Sequence, residues 1–359
     1  MRKLFLFLTI VLICSPAFSA DQLYKDVCLN GQGDAGGNCA YTTLESCMGG
    51  NEKDLRAGSG SDEYFDIEIK GAWTTADTTA VVIDGYDTDA THYINIFTSG
   101  SARHDGKLNS TAHRVSFNGL VYGQIRVIDD YVTLTGIQVA YPDTAQWDRY
   151  GLYIDASNVT VDKSIVHTAA TSDYNASGIL TIAGNTDIVI QNTIAYGKWG
   201  TRPVFLGSGI CYNCIAANSY GVGFQGGNEG WSVINCAAFD NAGDDFQGNP
   251  RTSGPASDHN ASEDATAEAA VFTDGNSIGS IAYSTSSGAY FTNVTAGTED
   301  FHITDTSSSL FEAGTLIATF DDDIDGDTRG STWDIGIDYI ESAAIFTKVT
   351  ISGHVKIGN

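Results

Sequence analysis

The stretch "DIVIQNTIAYG" at residues 187–197 reads as two short apolar strands meeting at an asparagine, and the chain repeats it. "NVTVDKSIVHT" (158–168) precedes it, and "GICYNCIAANS" (209–219) and "WSVINCAAFDN" (231–241) follow. Aligned on Lys163, Asn192, Asn213 and Asn235, the position two before reads Val161, Ile190, Cys211 and Val233. The position two after reads Ile165, Ile194, Ile215 and Ala237. "YVTLTGIQVAY" (131–141) joins the series around Gly136, and Gly-led apolar strands beginning at Gly151, Gly178 and Gly221 introduce the later units. The spacings are 192 − 163 = 29, 213 − 192 = 21 and 235 − 213 = 22.

A unit of about 22 residues, lengthened in places by a loop, is what a coiled parallel β-solenoid requires, because each turn supplies strands that pair with the same strands of the next. Apolar positions then line the interior while alternate positions face out. Asparagine at the bend tolerates a left-handed backbone and can bond its neighbour one turn on. Composition agrees: 40 Gly with only 5 Pro and 2 Met describes short strands and tight turns rather than helices. A β-sandwich or barrel would share the strand content, with the periodicity then accidental.

Over roughly residues 75–310 the chain resembles the right-handed parallel β-helix family, the architecture of pectate-lyase-like enzymes, phage tailspikes and many secreted bacterial proteins. The resemblance implies an all-β, single-stranded right-handed parallel β-helix and leaves function open, since the repeats are scaffold. Four segments are predicted. Residues 1–20 read as a secretory signal peptide, with "MRK", the apolar "LFLFLTIVLIC" and the small-residue end "SPAFSA". Residues 21–74 are an N-terminal cap region, 75–310 the β-helix, and 311–359 a C-terminal closing segment with an acidic loop. Within the cap, Leu44, Cys47 and Met48 of "YTTLESCMGGNEKDL" (41–55) have helical spacing, as a cover for an open first turn would.

The formal charge is 18 − 44 = −26. Such a surface repels phosphate backbones and argues against nucleic-acid binding, while suiting divalent cations or solubility. No stretch after the leader approaches the roughly 20 apolar residues of a membrane helix. Six cysteines remain once Cys14 leaves with the signal peptide. Cys28 is expected to pair with Cys39 or Cys47, as an oxidising compartment allows. Cys214 and Cys236 share a column, where a disulfide and a stack of reduced thiols both fit. The CxxC formed by Cys211 and Cys214 is a weak metal motif, since no second pair accompanies it.

"FDNAGDDFQGNPR" (239–251) gathers Asp240, Asp244 and Asp245. It is similar to the N-x-x-D-D-G-F-D type of stretch by which some β-helix lyases hold calcium, though a Gly and a further Asp are missing after the pair. The resemblance implies Ca2+ on those carboxylates, with Lys198, Arg202 or Arg251 as the base that removes a uronate C5 proton. Lys198 lies six positions after Asn192, as Asn241 does after Asn235, so the two are predicted two turns apart. Trp199 and Trp231 are candidate sugar-binding rings. Equally, the aspartates shape a loop and the tryptophans form wall. A second acid run (321–336) places Asp321, Asp323 and Asp325 ahead of Gly326 in the order of a calcium loop, although Thr332 stands where an EF-hand has Glu. A structural role is preferred for it, with Arg329 and Asp334 pairing to close the last turn. His92, His104, His113 and His167 show no ligand spacing.

Two functions lead: a secreted, non-catalytic β-helix that binds polysaccharide or cell-surface glycan or builds an extracellular layer, and a calcium-dependent lyase of uronic-acid glycans. A phage-tailspike-like fibre sits poorly with a signal peptide. Oligomeric state and the particular glycan are not legible.

Overall fold

The computed structural model describes residues 20–29, 39–118, 122–141, 149–168, 176–250, 254–269, 272 and 275–340, without the side chains of 227–229 and 249–250. Residues 1–19 and 341–359 therefore lie outside it, and with them nearly all of the assigned signal peptide.

Strands pair in parallel, turn upon turn, on three faces. One turn runs Arg149–Ile154, Val159–Asp162, Ile165–Thr168, and the next runs Ala176–Thr181, Val189–Gln191, Ile194–Gly197. On the first face Leu152, Ile179, Phe205, Phe224 and Phe246 stand in register. On the second, Val161, Ile190, Cys211 and Val233 align. The third aligns Ile165, Ile194, Ile215, Ala237 and Ala261. These are the columns that the sequence spacing predicts. The long strands Phe205–Tyr212 and Phe224–Ile234 run through from the first face to the second, which joins those faces into one 13-stranded sheet.

The corner between the second and third faces explains the asparagines. Gly136, Lys163, Asn192, Asn213 and Asn235 all have left-handed backbones, with φ between 46° and 72°. Asn213 Nδ2 donates to Asn192 Oδ1 at 3.1 Å, and Asn192 Nδ2 donates to Asp162 Oδ1 at 3.3 Å. Beside this ladder runs a second one that satisfies corner amides. Ser164 N donates to Thr193 Oγ1 (3.3 Å), Cys214 N to Cys236 Sγ (3.2 Å) and Cys236 N to Asn260 Oδ1 (3.0 Å). A buried N–H needs an acceptor, and the small polar side chain one turn on supplies it. Cys214 and Cys236 are thus reduced, buried thiols, while Cys28 and Cys39 form a disulfide.

Both ends of the interior are covered. Thr43 caps the helix Leu44–Gly49 by accepting from Ser46 N at 3.1 Å, and the helix buries Leu44, Cys47 and Met48. The edge strand Asp21–Val27 pairs with Glu63–Ile69, so the large sheet already begins within the predicted cap region. At the far end Phe272 packs on Phe246, closing the stack Phe205–Phe224–Phe246.

One expectation of strand alternation fails. Ile165, Ile194, Ile215 and Ala237 do not line the interior, which is filled by Val139, Val166, Ala195, Ala216 and Ala238. They face outward beneath the chain that follows the last turn, packing with Phe291, Phe301, Ile303, Leu310, Ile324 and Ile335. The C-terminal segment therefore lies along the third face instead of only closing an end, and that sheet is buried on both sides. Polar contacts fasten it. Asn235 exchanges two hydrogen bonds with the Thr315 backbone (2.7 and 2.8 Å), Lys163 pairs with Asp322, and Arg103 donates to the Ile324 carbonyl at 2.9 Å.

The ladder sets a quantitative expectation. Asn213→Ala places a Cβ residue with no compensating bond in a left-handed position, at roughly 1–2 kcal/mol, and strips Asn192 Oδ1 of its donor at about 1–3 kcal/mol. Urea unfolding is expected to show a loss of roughly 2–5 kcal/mol for Asn213→Ala, with Asn213→Gly recovering the backbone share. Equal losses in the two variants would contradict the left-handed assignment.

Candidate functional site

Register puts Tyr196, Ala217 and Phe239 in one column, so Lys198 and Asn241, each two residues further on, stand two turns apart as predicted. The calcium cluster does not assemble around them. Asp245 is buried and saturated: its carboxylate accepts from Asn241 Nδ2 (2.8 Å), Glu263 N (2.8 Å) and Asp264 N (3.3 Å). Burial raises its pKa to about 7 against the lowering effect of those donors. Asp244 is exposed and accepts from Gln247 Nε2 at 3.1 Å, whereas Asp240 sits at a left-handed corner (φ 50°) with its amide on Glu263. These three residues build the loop. No three of their carboxylates converge among the described residues.

The remaining predicted residues separate. Lys198 Nζ lies 5.2 Å from the Tyr220 ring centroid. Arg202 reaches back to Tyr150, donating to its hydroxyl and lying 5.9 Å from its ring centroid. Arg251 lies outside the described residues. Trp199 and Trp231 are corrections: they are 1% and 0% exposed, packed in the interior cluster, and neither offers a face to a sugar. Trp199 Nε1 donates to the Tyr196 carbonyl at 2.9 Å, and Trp231 fills the space that the missing Cβ of Gly209 leaves.

The second acid run also folds around itself. Asp323 is buried, and its Oδ1 accepts from the amides of Asp325, Gly326 and Asp327 at 3.0, 3.0 and 2.9 Å. Asp321 receives the Arg329 amide on its carbonyl at 2.7 Å. Arg329 does close this segment, but through the carbonyls of Asp322, Asp334, Gly336 and Asp338. The Asp334 carboxylate instead accepts from the amides of Glu312 and Ile340.

Asp325 turns toward His302, whose grouping with Asp325 and Asp338 local spacing does not announce, because those two lie 23 and more positions away. His302, Asp325 and Asp338 bring one ligand atom each within 4.8 Å of one another, the single grouping among the described residues that could take a metal ion. Calcium does not fit it, since two carboxylates and an imidazole fall short of six to eight oxygens. The ring is moreover occupied on both nitrogens: Nδ1 by Asp300, and Nε2 by Asp325 at 2.8 Å. Burial would lower the His302 pKa, but these hydrogen bonds outweigh it and raise the pKa to about 10. An imidazolium thus supplies the cation. Lys107 reaches the same Asp300 at 3.1 Å, so the network ties the C-terminal segment to the loop before the third face.

The first face presents a different arrangement. Its outward column reads Val82, Arg126, Tyr153, Leu180, Leu206, Gln225, Gln247. The Arg126 guanidinium carbon lies 5.5 Å from the Tyr153 ring centroid, and Tyr122 close by is 60% exposed. Arg126 Nε is buried without a hydrogen-bond partner among the described residues. Gln225 donates to Gln247, which carries the amide row on to Asp244. At 4.8 Å per turn the column is roughly 29 Å long. The alternation along a strand is legible in sequence, but the residues of this column come from seven different turns and form no motif.

The His302 network has a pH signature. A pKa raised from 6.5 to about 10 gives stabilisation that is complete below pH 6.5 and lost as pH rises through 10. Asp300, which burial would raise, is held at about 2 by His302 and Lys107, so its contribution is lost only as pH falls from 3.8 through 2. The melting temperature is expected to fall between pH 6.5 and 10 by more in the native chain than in His302→Gln. Parallel curves would contradict the assignment.

No protein-family model matches this chain, and no curated protein gives a match. Among solved structures, pectate lyase Pel9A is similar, with 15% sequence identity and a TM-score of 0.44 over 90% of this chain and 97% of that one. That distance transfers no residue role. No helix among the described residues is long and apolar enough to cross a membrane. The architecture is a parallel β-helix, almost without helix among the described residues.

Proposed function

We propose that the protein is an exported, non-catalytic β-helix that binds chains of an acidic glycan along its first face. The observation that carries this reading is the column from Arg126 through Tyr153 to Gln225 and Gln247. In a chain with 18 basic and 44 acidic residues, Arg126, Arg149 and Arg202 all belong to this face or its border, near Tyr122 and Tyr153. Arginine recognises carboxylate or sulfate in a planar fork, tyrosine supports the apolar side of a sugar ring, and glutamine amides bond hydroxyls. The 4.8 Å repeat suits a ligand that is itself repetitive. The single disulfide and the leader-like start of the sequence favour export.

Calcium-dependent elimination receives less support. Its three aspartates are spent on loop structure or point apart, and Lys198 rests on Tyr220.

Polygalacturonate and alginate are the probes of choice, in titration calorimetry together with an ultraviolet assay for unsaturated uronates. Binding without product is expected, weakened at least fivefold by Arg126→Ala and by high salt, and unchanged by removal of calcium. Calcium-dependent product formation that is lost in Asp244→Ala would overturn this reading and restore the lyase.

A further inference from the structure

A second polar site lies where the C-terminal segment crosses the third face. The recess there has a volume of about 380 Å3 and is lined by Lys107, Leu108, Tyr196, Thr298, Glu299 and Asp300, among others. That is near the lower end of the size of ligand pockets, suited to a single small molecule rather than a chain.

Two of its groups are unfinished. Tyr196 is 1% exposed and Glu299 is 3% exposed, yet the Tyr196 hydroxyl and Glu299 Oε2 have no hydrogen-bond partner among the described residues. Native structures seldom leave such atoms alone, because each bears its desolvation cost without return. The other half of the Glu299 carboxylate is held firmly: Oε1 accepts from Asn218 Nδ2 at 2.6 Å, and the same amide reaches Tyr283 Oη at 3.2 Å. Glu299 is therefore oriented, with one oxygen left over.

The chemistry of the missing partner follows. Lys107 and Asp300 cancel as an ion pair at 3.1 Å, so the rim carries little net charge. Burial of Glu299 disfavours its charged form, opposed only in part by its hydrogen bonds and by Lys198. A strongly anionic or cationic ligand gains little here. Leu108 and the Tyr196 ring give the recess an apolar side, while the phenol and the carboxyl offer it a donor and an acceptor.

We propose that this recess binds one uncharged sugar ring, a monosaccharide or the end of a chain, whose hydroxyls complete Tyr196 Oη and Glu299 Oε2. The site shares no residue with the first face, so it stands or falls separately from the glycan-chain reading.

Tyr196→Phe is the informative variant, because it deletes only the unpartnered hydroxyl and keeps the ring packed against His167 and Phe301. The probes are neutral hexoses, N-acetylhexosamines and their disaccharides, read by saturation-transfer NMR and calorimetry on the full mature chain. At least one is expected to bind, with affinity reduced fivefold or more in Tyr196→Phe and in Glu299→Gln and unaltered in Arg126→Ala. Without sugar, Tyr196→Phe is expected to melt at a higher temperature than the native chain, since a buried group lacking a partner is removed. Failure of every probe to bind, or binding indifferent to Tyr196→Phe, would overturn the proposal. So would a lower melting temperature for Tyr196→Phe, which would mark the hydroxyl as structurally satisfied.

Discussion

The structure depends on a left-handed corner repeated once per turn. Asn192, Asn213 and Asn235 occupy it because asparagine accepts that backbone, and two of them reach the preceding turn, Asn213 donating to Asn192 and Asn192 to Asp162. A corner fixed in this way sets the angle between the second and third faces and locks the register on both. Everything that later resembles a site is a column, and columns exist only because the register does not slip. Lys163 shows the corner in a second role. Its backbone is left-handed like the others, but its side chain leaves the stack to pair with Asp322. Asn235, where the asparagine ladder meets the C-terminal segment, likewise bonds Thr315.

The corner thus also anchors a covering layer. An outward face bearing Ile165, Ile194 and Ile215 could not stay exposed in a stable monomer, and the C-terminal segment buries it with Phe291, Phe301 and Ile335. Its acidity complements Arg103, Lys107 and Lys163. Some of the negative charge that sequence reading assigns to solvent or to calcium is instead spent on docking. Asp300, Asp322 and Asp325 each face a cation of the chain itself. Covering the third face leaves the first one open, and the seam along the third face forms a recess.

The repeat columns, the strand register, the left-handed asparagines and the helical cap at Leu44 were legible in the sequence, because each is a local or evenly spaced signal. The destination of Ile165, Ile194 and Ile215 was not: an apolar residue on a strand shows that something covers it, not which side is covered. Asp240, Asp244 and Asp245 are adjacent in sequence, yet strand ends and turns send their carboxylates different ways, and Asp245 is consumed by backbone amides. Trp199 and Trp231 show the same limit, since aromatic residues beside glycine serve interior packing as readily as a binding surface. The recess holding Tyr196 and Glu299, and the network of His302 with Asp325, were invisible because each forms only when the C-terminal segment folds back across the turns.

Taken together, these features describe a scaffold whose acids are largely committed to its own architecture and whose outward chemistry is basic, aromatic and amide-bearing on one face. Hydrogen–deuterium exchange with and without an acidic oligosaccharide tests that division most directly. Protection is expected in peptides covering residues 122–127, 149–154 and 202–206, with no change across 239–246 or 321–329. Protection confined to 239–246, and dependent on calcium, would contradict the account.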